Sequence, residues 1–361
     1  KTPKNLFFLA VGFVLSAVLI LQLGLTPSTA SAYRPNFDCS YNATVDSLLQ
    51  QTSEQSWADW IRRLSGELPV SVNGEEVTIS TRHSTYLFNG AANAQAYDYL
   101  IETLSAWYPA SQLEEDEFPY GSQTWKNLIL TIPGSLAPDE VVILSAHLDS
   151  TSTSTATLAP GAEDNGSGSA ALLEAAYALR NFPVERTVKL IWFTGEEQGL
   201  IGSKAYTSDH DLSGVLGVIN LDMYGYDSDN DGCFEMHVGD LAQSNEVGKC
   251  MAQAVQAYNL PITFDYLTTG ATGRSDHASF WTKQIGAIEI LENYNIEQLP
   301  GGCEGNDRNP NYHKTTDTID KMNLPVGYRI TRAALAAFFA MTQQPAEIIL
   351  LPQAYLPFIA R

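Results

Sequence analysis

The chain has 361 residues, 44% of them apolar and 17% charged, values that describe a globular chain with a sizeable core and exclude a disordered segment or a coiled coil. Lys and Arg number 20 against 41 Asp and Glu, and the formal net charge of -21 repels nucleic acid and anionic membrane surfaces. Most of those carboxylates belong on a solvated surface, yet such an excess also supplies ligands for hard or borderline cations.

Lys1 and Lys4 precede an uncharged apolar run from Leu6 to Leu25, and Ala30-Ser31-Ala32 follows as a small-x-small cleavage pattern. Residues 1–32 therefore read as a signal peptide and the protein as secreted or extracytoplasmic. Left uncleaved, the same run is long enough to serve as an N-terminal membrane anchor. Residues 33–80 form an N-terminal extension, part of it a candidate prosegment. A leading segment and a helix with apolar residues from Val45 to Leu64 precede a hairpin around Asn73-Gly74, flanked by Val70, Val72, Val77 and Ile79.

The catalytic domain is expected over 81–343. A helix from about Ala92 to Trp107 opens it. Apolar runs at 127–132, 141–146, 188–193, 215–221 and 287–291 then alternate with helical stretches near 167–181, 198–208, 241–258 and 276–284. Strands and helices in this order predict an α/β fold: a mixed, mainly parallel central sheet with helices on both faces, a three-layer sandwich. A helix over 325–341 closes the domain, and residues 344–361 form a Pro-punctuated tail. Cys39, Cys233, Cys250 and Cys303 suit two disulfides in an exported chain, with three connectivities open. A bond at Cys303 would stiffen the loop that leads to His313.

In open α/β sheets ligands bind beyond the carboxyl ends of the strands. His147-Leu-Asp149 follows the second run, Glu196-Glu197 the third and Asp222 the fourth; Glu163-Asp164 opens a helix and Tyr312-His313 precedes the last one. Two His and three carboxylates exceed the three protein ligands of one open zinc site and suit two metals bridged by a carboxylate. His and carboxylate without thiolate favour Zn2+, with Co2+ or Mn2+ as substitutes. Of the adjacent Glu196 and Glu197, one ligates while the other takes a proton from the attacking water and later delivers it to the leaving amine. Asp149, two residues after His147, is placed to accept the imidazole's other N–H.

Asp227-Ser-Asp229-Asn-Asp231-Gly232 imitates the first half of an EF-hand loop. Val238 at the twelfth position excludes a true EF-hand, leaving an acidic turn with a weak Ca2+ site on Asp227, Asp229 and Asp231 as the expectation. His83, His210 and His237 fall in no motif and read as structural, and His277 as a helix-start residue.

Together, His147-Leu-Asp149, Gly161-Ala-Glu-Asp164-Asn-Gly-Ser-Gly, Glu196-Glu197-x-Gly-Leu-x-Gly-Ser203, Asn220-x-Asp222-Met223, Ser275-Asp-His-Ala-Ser-Phe280 and Tyr312-His313-Lys-Thr-Thr-Asp317-Thr318 resemble the M28 metallopeptidases. The similarity is greatest to their secreted bacterial leucyl aminopeptidases. It implies a two-zinc aminopeptidase, with His147 and Asp222 on one zinc, Glu197 and His313 on the other, Asp164 bridging and Glu196 as general base. It also implies Tyr312 as an oxyanion partner, Met223 in the pocket for the first side chain and Ser275 near the metals. Gly270-Ala-Thr-Gly-Arg274 stands where some relatives carry a CxxxC disulfide, so the pocket rim is expected to differ. The expected substrates are peptides with apolar N-terminal residues, and the expected state is a monomer. An M28-type carboxypeptidase or other zinc exopeptidase is the alternative, and a metal-free receptor-like ectodomain the reading from another class.

Overall fold

The computed structural model describes residues 36–84, 92–294, 299, 302–305 and 307–343. The expected signal peptide or anchor over 1–32 and the tail over 344–361 lie outside them. Among the described residues no helix is long and apolar enough to cross a membrane.

Where one N-terminal helix was expected, two form: α1 (Ala43–Leu49) and α2 (Glu54–Leu64). Ser53, in extended backbone, breaks them because its Oγ accepts the Ser56 N–H at 3.0 Å and caps α2. The hairpin forms as β1 (Val70–Val72) and β2 (Glu75–Val77), with Asn73 and Gly74 at φ 54° and 79° as a two-residue turn of this kind requires. Then come α3 (Ala92–Ser105), β3 (Leu113–Tyr120), β4 (Gln123–Ile132), β5 (Ala137–His147), α4 (Gly168–Leu179), β6 (Arg186–Phe193), α5 (Ile201–Asp209) and β7 (Val215–Leu221). The chain continues through β8 (Cys233–His237), α6 (Ala242–Ala257), β9 (Thr263–Leu267), α7 (His277–Thr282), β10 (Ala287–Glu292) and α8 (Leu324–Met341).

Eight strands make one mixed sheet in the order β3-β4-β6-β5-β7-β10-β8-β9. Its centre, β6-β5-β7-β10, is parallel, and β4 and β8 join that centre antiparallel. The central strands alternate between two buried faces. Leu128, Leu130, Val142, Leu144, Leu190, Trp192, Ile219 and Ile288 meet one apolar cluster that includes residues of α1, α2, α4, α6 and α8. Ile129, Ile143, Ile191, Phe193 and Val218 meet another with Tyr206 of α5 and Phe280 of α7. Apolar residues at both parities explain why these strands read as unbroken apolar runs. Val45, Leu48, Trp57 and Ile61 belong to the first cluster, so the N-terminal extension and the sheet share one core.

Three strands were not expected. β3 carries Glu114-Glu115-Asp116-Glu117 and lies at the sheet edge, where water solvates the charges. β9 is the other edge. β8 is wholly buried but alternates Phe234 and Met236 with Glu235 and His237, whose Nε2–H donates to Glu235 at 2.8 Å. The disulfides pair Cys39 with Cys250 and Cys233 with Cys303, and no described cysteine is free. The first ties the segment before α1 to α6, and the second ties the start of β8 to the loop preceding His313.

Candidate metal centre

The parallel strands deliver their C-terminal ends to one edge of the sheet. β5 ends at His147, β6 runs into the Gly195-Glu196-Glu197 turn and β7 into Asp222. Asp164 sits in the irregular turn before α4, which is held to the sheet edge when Asn165 Nδ2 donates to Leu221 O at 2.7 Å and Asn165 Oδ1 accepts the Gly168 N–H at 2.9 Å. Two glycines permit these turns. Gly161, at φ 51°, brings its backbone against Asp164 O, and Gly195, at φ 73°, against the Trp125 ring, approaches that a Cβ would block at 2.3 and 2.6 Å.

Five side chains from five segments converge as two groups sharing one member: His147, Asp164 and Asp222, and Asp164, Glu197 and His313. His147 Nε2 lies 3.1 Å from Asp222 Oδ1 and 3.3 Å from Asp164 Oδ1. His313 Nε2 lies 3.3 Å from Asp164 Oδ2 and 2.9 Å from Glu197 Oε2. The two oxygens of Asp164 thus face different imidazoles.

His147 Nδ1–H donates to the Asp149 carbonyl at 2.9 Å, which leaves Nε2 to present its lone pair to two carboxylate oxygens. Such a contact requires positive charge between the partners, a proton or a cation. Burial pulls the His147 pKa down, but Asp222, Asp149 and Asp164 outweigh it and hold it well above the usual imidazole value. Burial opposes His313 too, and its bonds to Asp164 and Glu197 push it up to about 10. Burial and Asp164 push Glu197 up to about 8 against the pull of His313. Glu197 Oε1 is buried without a hydrogen-bond partner. This orphaned oxygen and a donor set of two imidazoles and three carboxylates fit a pair of borderline divalent cations.

A cavity of about 270 Å³ opens onto this centre. Asp164, Asp222, His313, Glu196, Met223 and Tyr312 line it, joined by Leu291, Tyr294, Glu289, Thr272, Gly270 and Arg274. Glu196 faces the cavity while Glu197 faces His313, so the two neighbours point apart. Burial, with Asp222, Asp276 and Glu197 nearby, pushes the Glu196 carboxyl well above the usual range against the pull of His147. Tyr312 stacks on His313 with ring centroids 3.7 Å apart.

Three sequence expectations need correction. Asp149 does not hold His147 through its carboxylate, 3.7 Å away; its main-chain carbonyl accepts that bond. The carboxylate instead accepts the N–H groups of Glu196 and Glu197, each at 3.2 Å, and so orients the turn that bears both. Ser275 does not line the cavity: its Oγ accepts from Asn220 Nδ2 at 2.9 Å and is turned into the buried end of β7, while its neighbour Arg274 reaches the cavity wall. Asp231 is not grouped with Asp227 and Asp229, because its Oδ1 accepts the Cys233 N–H; Asp307 takes its place.

Sequence reasoning missed two positioning residues. Asp317 accepts the N–H groups of Glu163 and Asp164 at 3.2 and 3.1 Å, aiming the shared carboxylate. Arg82 is fully buried, and its guanidinium donates to the carbonyls of Leu148, Leu64, Pro160 and Gly161. Asp317 stands within a quoted motif; Arg82 stands in none, and only an arginine amid otherwise apolar and small-polar sequence marks it.

The chain is 31% identical over 224 residues to leucine aminopeptidase 2 of Trichophyton rubrum, covering 58% of this chain and 43% of that protein. It is 31% identical over 209 residues to aminopeptidase YwaD of Bacillus subtilis, covering 56% and 42%. In both cases the match spans less than half the length of the relative. Among solved structures, the LapA aminopeptidase of Legionella pneumophila superposes with a TM-score of 0.67 at 20% identity over 88% of this chain and 77% of that one. The glutaminyl cyclase of Porphyromonas gingivalis superposes with a TM-score of 0.61 at 18% identity over 79% and 97%. At such identity these structures share the fold, and a fold hosts more than one reaction. The family model described as peptidase family M28 matches residues 127–338, a stretch that carries all five converging side chains, and the chain belongs to that family.

Proposed function

We propose that this chain is the catalytic part of a secreted, monomeric two-zinc aminopeptidase that removes N-terminal residues from peptides. One observation carries the reading: the carboxylate of Asp164 offers one oxygen to the His147–Asp222 group and the other to the His313–Glu197 group, beside a cavity that Glu196 faces. His147 and Asp222 would hold one cation and Glu197 and His313 the second, with Asp164 shared between the two groups. Two zinc ions there, or cobalt or manganese in their place, would supply Lewis acidity to a scissile carbonyl and to water.

The protein's own groups do the rest. Glu196, which lines the cavity and whose carboxyl burial holds above its ordinary range, takes the proton of the attacking water and passes it to the departing amine. Asp149 holds the Glu196 and Glu197 backbone in place. The Tyr312 hydroxyl is kept protonated by burial and the surrounding carboxylates and donates to the developing oxyanion. Met223 and Leu291 in the cavity wall support an apolar first side chain. The two disulfides support export into an oxidising compartment, in keeping with residues 1–32 as an export signal.

Arg274 supports a second reading. A guanidinium in the cavity wall pairs with a carboxylate, and a substrate bound by its C-terminus makes the enzyme a carboxypeptidase. Matched peptides, free or acetylated at the N-terminus and free or amidated at the C-terminus, separate the two in the zinc-loaded protein. Cleavage that requires the free amine is expected, and Glu196→Gln should lower kcat by about 10²–10⁴ with metal content unchanged. Cleavage of acetylated peptides dependent on a free carboxylate establishes the carboxypeptidase instead. No cleavage of any peptide refutes both.

A further inference from the structure

The acidic turn between β7 and β8 has an arrangement of its own. Asp227, Asp229 and Asp307 each bring a carboxylate oxygen within 4.8 Å of the others. Asp227 is 6% exposed, and its two oxygens are treated differently. Oδ2 accepts from Asn323 Nδ2 at 3.0 Å, whereas Oδ1 is buried and accepts nothing. A buried carboxylate oxygen without a donor costs free energy that a ligand recovers.

We propose that Asp227, Asp229 and Asp307 bind a calcium ion outside the catalytic centre. The donors are oxygen alone, with no imidazole or thiolate, which selects a hard cation over zinc. Calcium accepts oxygens in a flexible shell at about 2.3–2.6 Å, which suits carboxylates contributed by two separate segments, whereas magnesium demands a tighter octahedron and keeps more of its water. Loop carbonyls and water complete the shell. Asp227 and Asn230 also line an open cleft beside Met322 and Asn323, which gives the ion a route in.

The trio is also fixed in space. Asp307 accepts from both the N–H and the Oγ–H of Ser228, its own N–H donates to Asn293 O at 2.9 Å, and the Cys233–Cys303 bond joins the two segments covalently. Two residues on, Asn309 donates its N–H to Glu292 Oε1 at 3.0 Å and its side chain to Glu163 Oε2. Glu163 Oε1 accepts the N–H groups of Gly225 and Tyr226 and precedes Asp164 in the chain. The ion therefore braces the loop that leads to Tyr312 and His313. By contrast, the Glu114, Asp116 and His210 group on the sheet edge is already satisfied, with His210 on Asp116 at 2.9 Å and stacked on Tyr206.

Terbium luminescence excited through the adjacent Tyr226 tests the proposal in the zinc-loaded full chain. A saturable signal that calcium removes and equimolar magnesium does not is expected, and calcium at ten times its dissociation constant should raise Tm by about 3 °C. Asp229→Asn, at an exposed position, and Asp307→Asn should weaken calcium at least tenfold while leaving calcium-free peptide hydrolysis unchanged. Asp231→Asn, which keeps an acceptor for the Cys233 N–H, should leave the affinity unchanged. Absence of a saturable signal at millimolar calcium overturns the proposal. So does an equal loss in Asp231→Asn, or a terbium signal that disappears with added zinc instead of calcium.

Discussion

Arg82 lies at 0% exposure and, among the described residues, forms no close ion pair, yet its guanidinium donates to four carbonyls. Leu148 O follows His147, Pro160 O and Gly161 O precede Asp164, and Leu64 O ends α2, so one side chain gathers three segments that aim or buttress metal-binding groups. Burial lowers its pKa to about 10, but the charges of Asp317, Asp164, Asp149 and Glu197 limit the drop and it stays a cation at neutral pH. Replacing it with methionine strands up to four buried acceptors at about 1–3 kcal/mol each. Gly161 O retains the Gly166 N–H at 2.9 Å, and carbonyls are easier to leave unsatisfied than N–H groups, so a total of about 4–6 kcal/mol is expected. That is a large part of the stability of a typical domain. Arg82→Lys, which keeps the charge but cannot fork to four carbonyls, should cost about 2–3 kcal/mol and remain folded. Urea unfolding followed by tryptophan fluorescence measures both. A loss below about 1 kcal/mol for Arg82→Met would refute the assignment of Arg82 as the tie between these segments.

Other changes probe separate parts of the molecule. Asp164→Asn removes the charge and one metal-facing oxygen, so metal content measured on the purified protein should fall from two ions per chain and affinity by at least about 100-fold, the upper range for groups one layer further out. Burial lowers the pKa of His277 to about 3, and the carboxyl of Glu289, 3.6 Å away, is itself pushed up by burial. The unfolded chain therefore takes up this proton first as pH falls below the model-peptide value of about 6.5, and stability drops by about 1.4 kcal/mol per unit from there toward 3. Wild type should lose about 2 kcal/mol more than His277→Gln between pH 6.5 and 5 in urea unfolding, and parallel curves would exclude the effect. Removing the Cys233–Cys303 bond by double serine substitution should cost about 2–5 kcal/mol in the same assay.

What was legible in the sequence, and what was not, follows from how each feature is encoded. The central strands and their helices were readable because a strand covered on both faces is apolar at every position; His147, Glu196, Glu197 and Asp222 were readable because they follow such runs, and Asp164 and His313 because they open a helix and precede the last one within recognisable motifs. β3 and β8 escaped because their polar positions are satisfied by means that periodicity does not register: water around Glu114 to Glu117 at an edge, and the pairing of His237 with Glu235 inside. Asp149 shows the same limit at the centre. Its proximity to His147 in sequence suggested a carboxylate–imidazole bond, but the backbone of residue 149 reached that imidazole first, and the carboxylate was left to hold a turn some 47 residues away. Asp307 for Asp231 repeats the pattern, since the short-range acceptor was consumed by a local N–H and a residue 79 positions beyond Ser228 filled the place. Residue type and spacing along one strand end specify which groups arrive at the site. Which atom of each group faces the metal, the backbone or another carboxylate is settled by competition among donors from distant segments, and that competition exists only once the fold has brought them together.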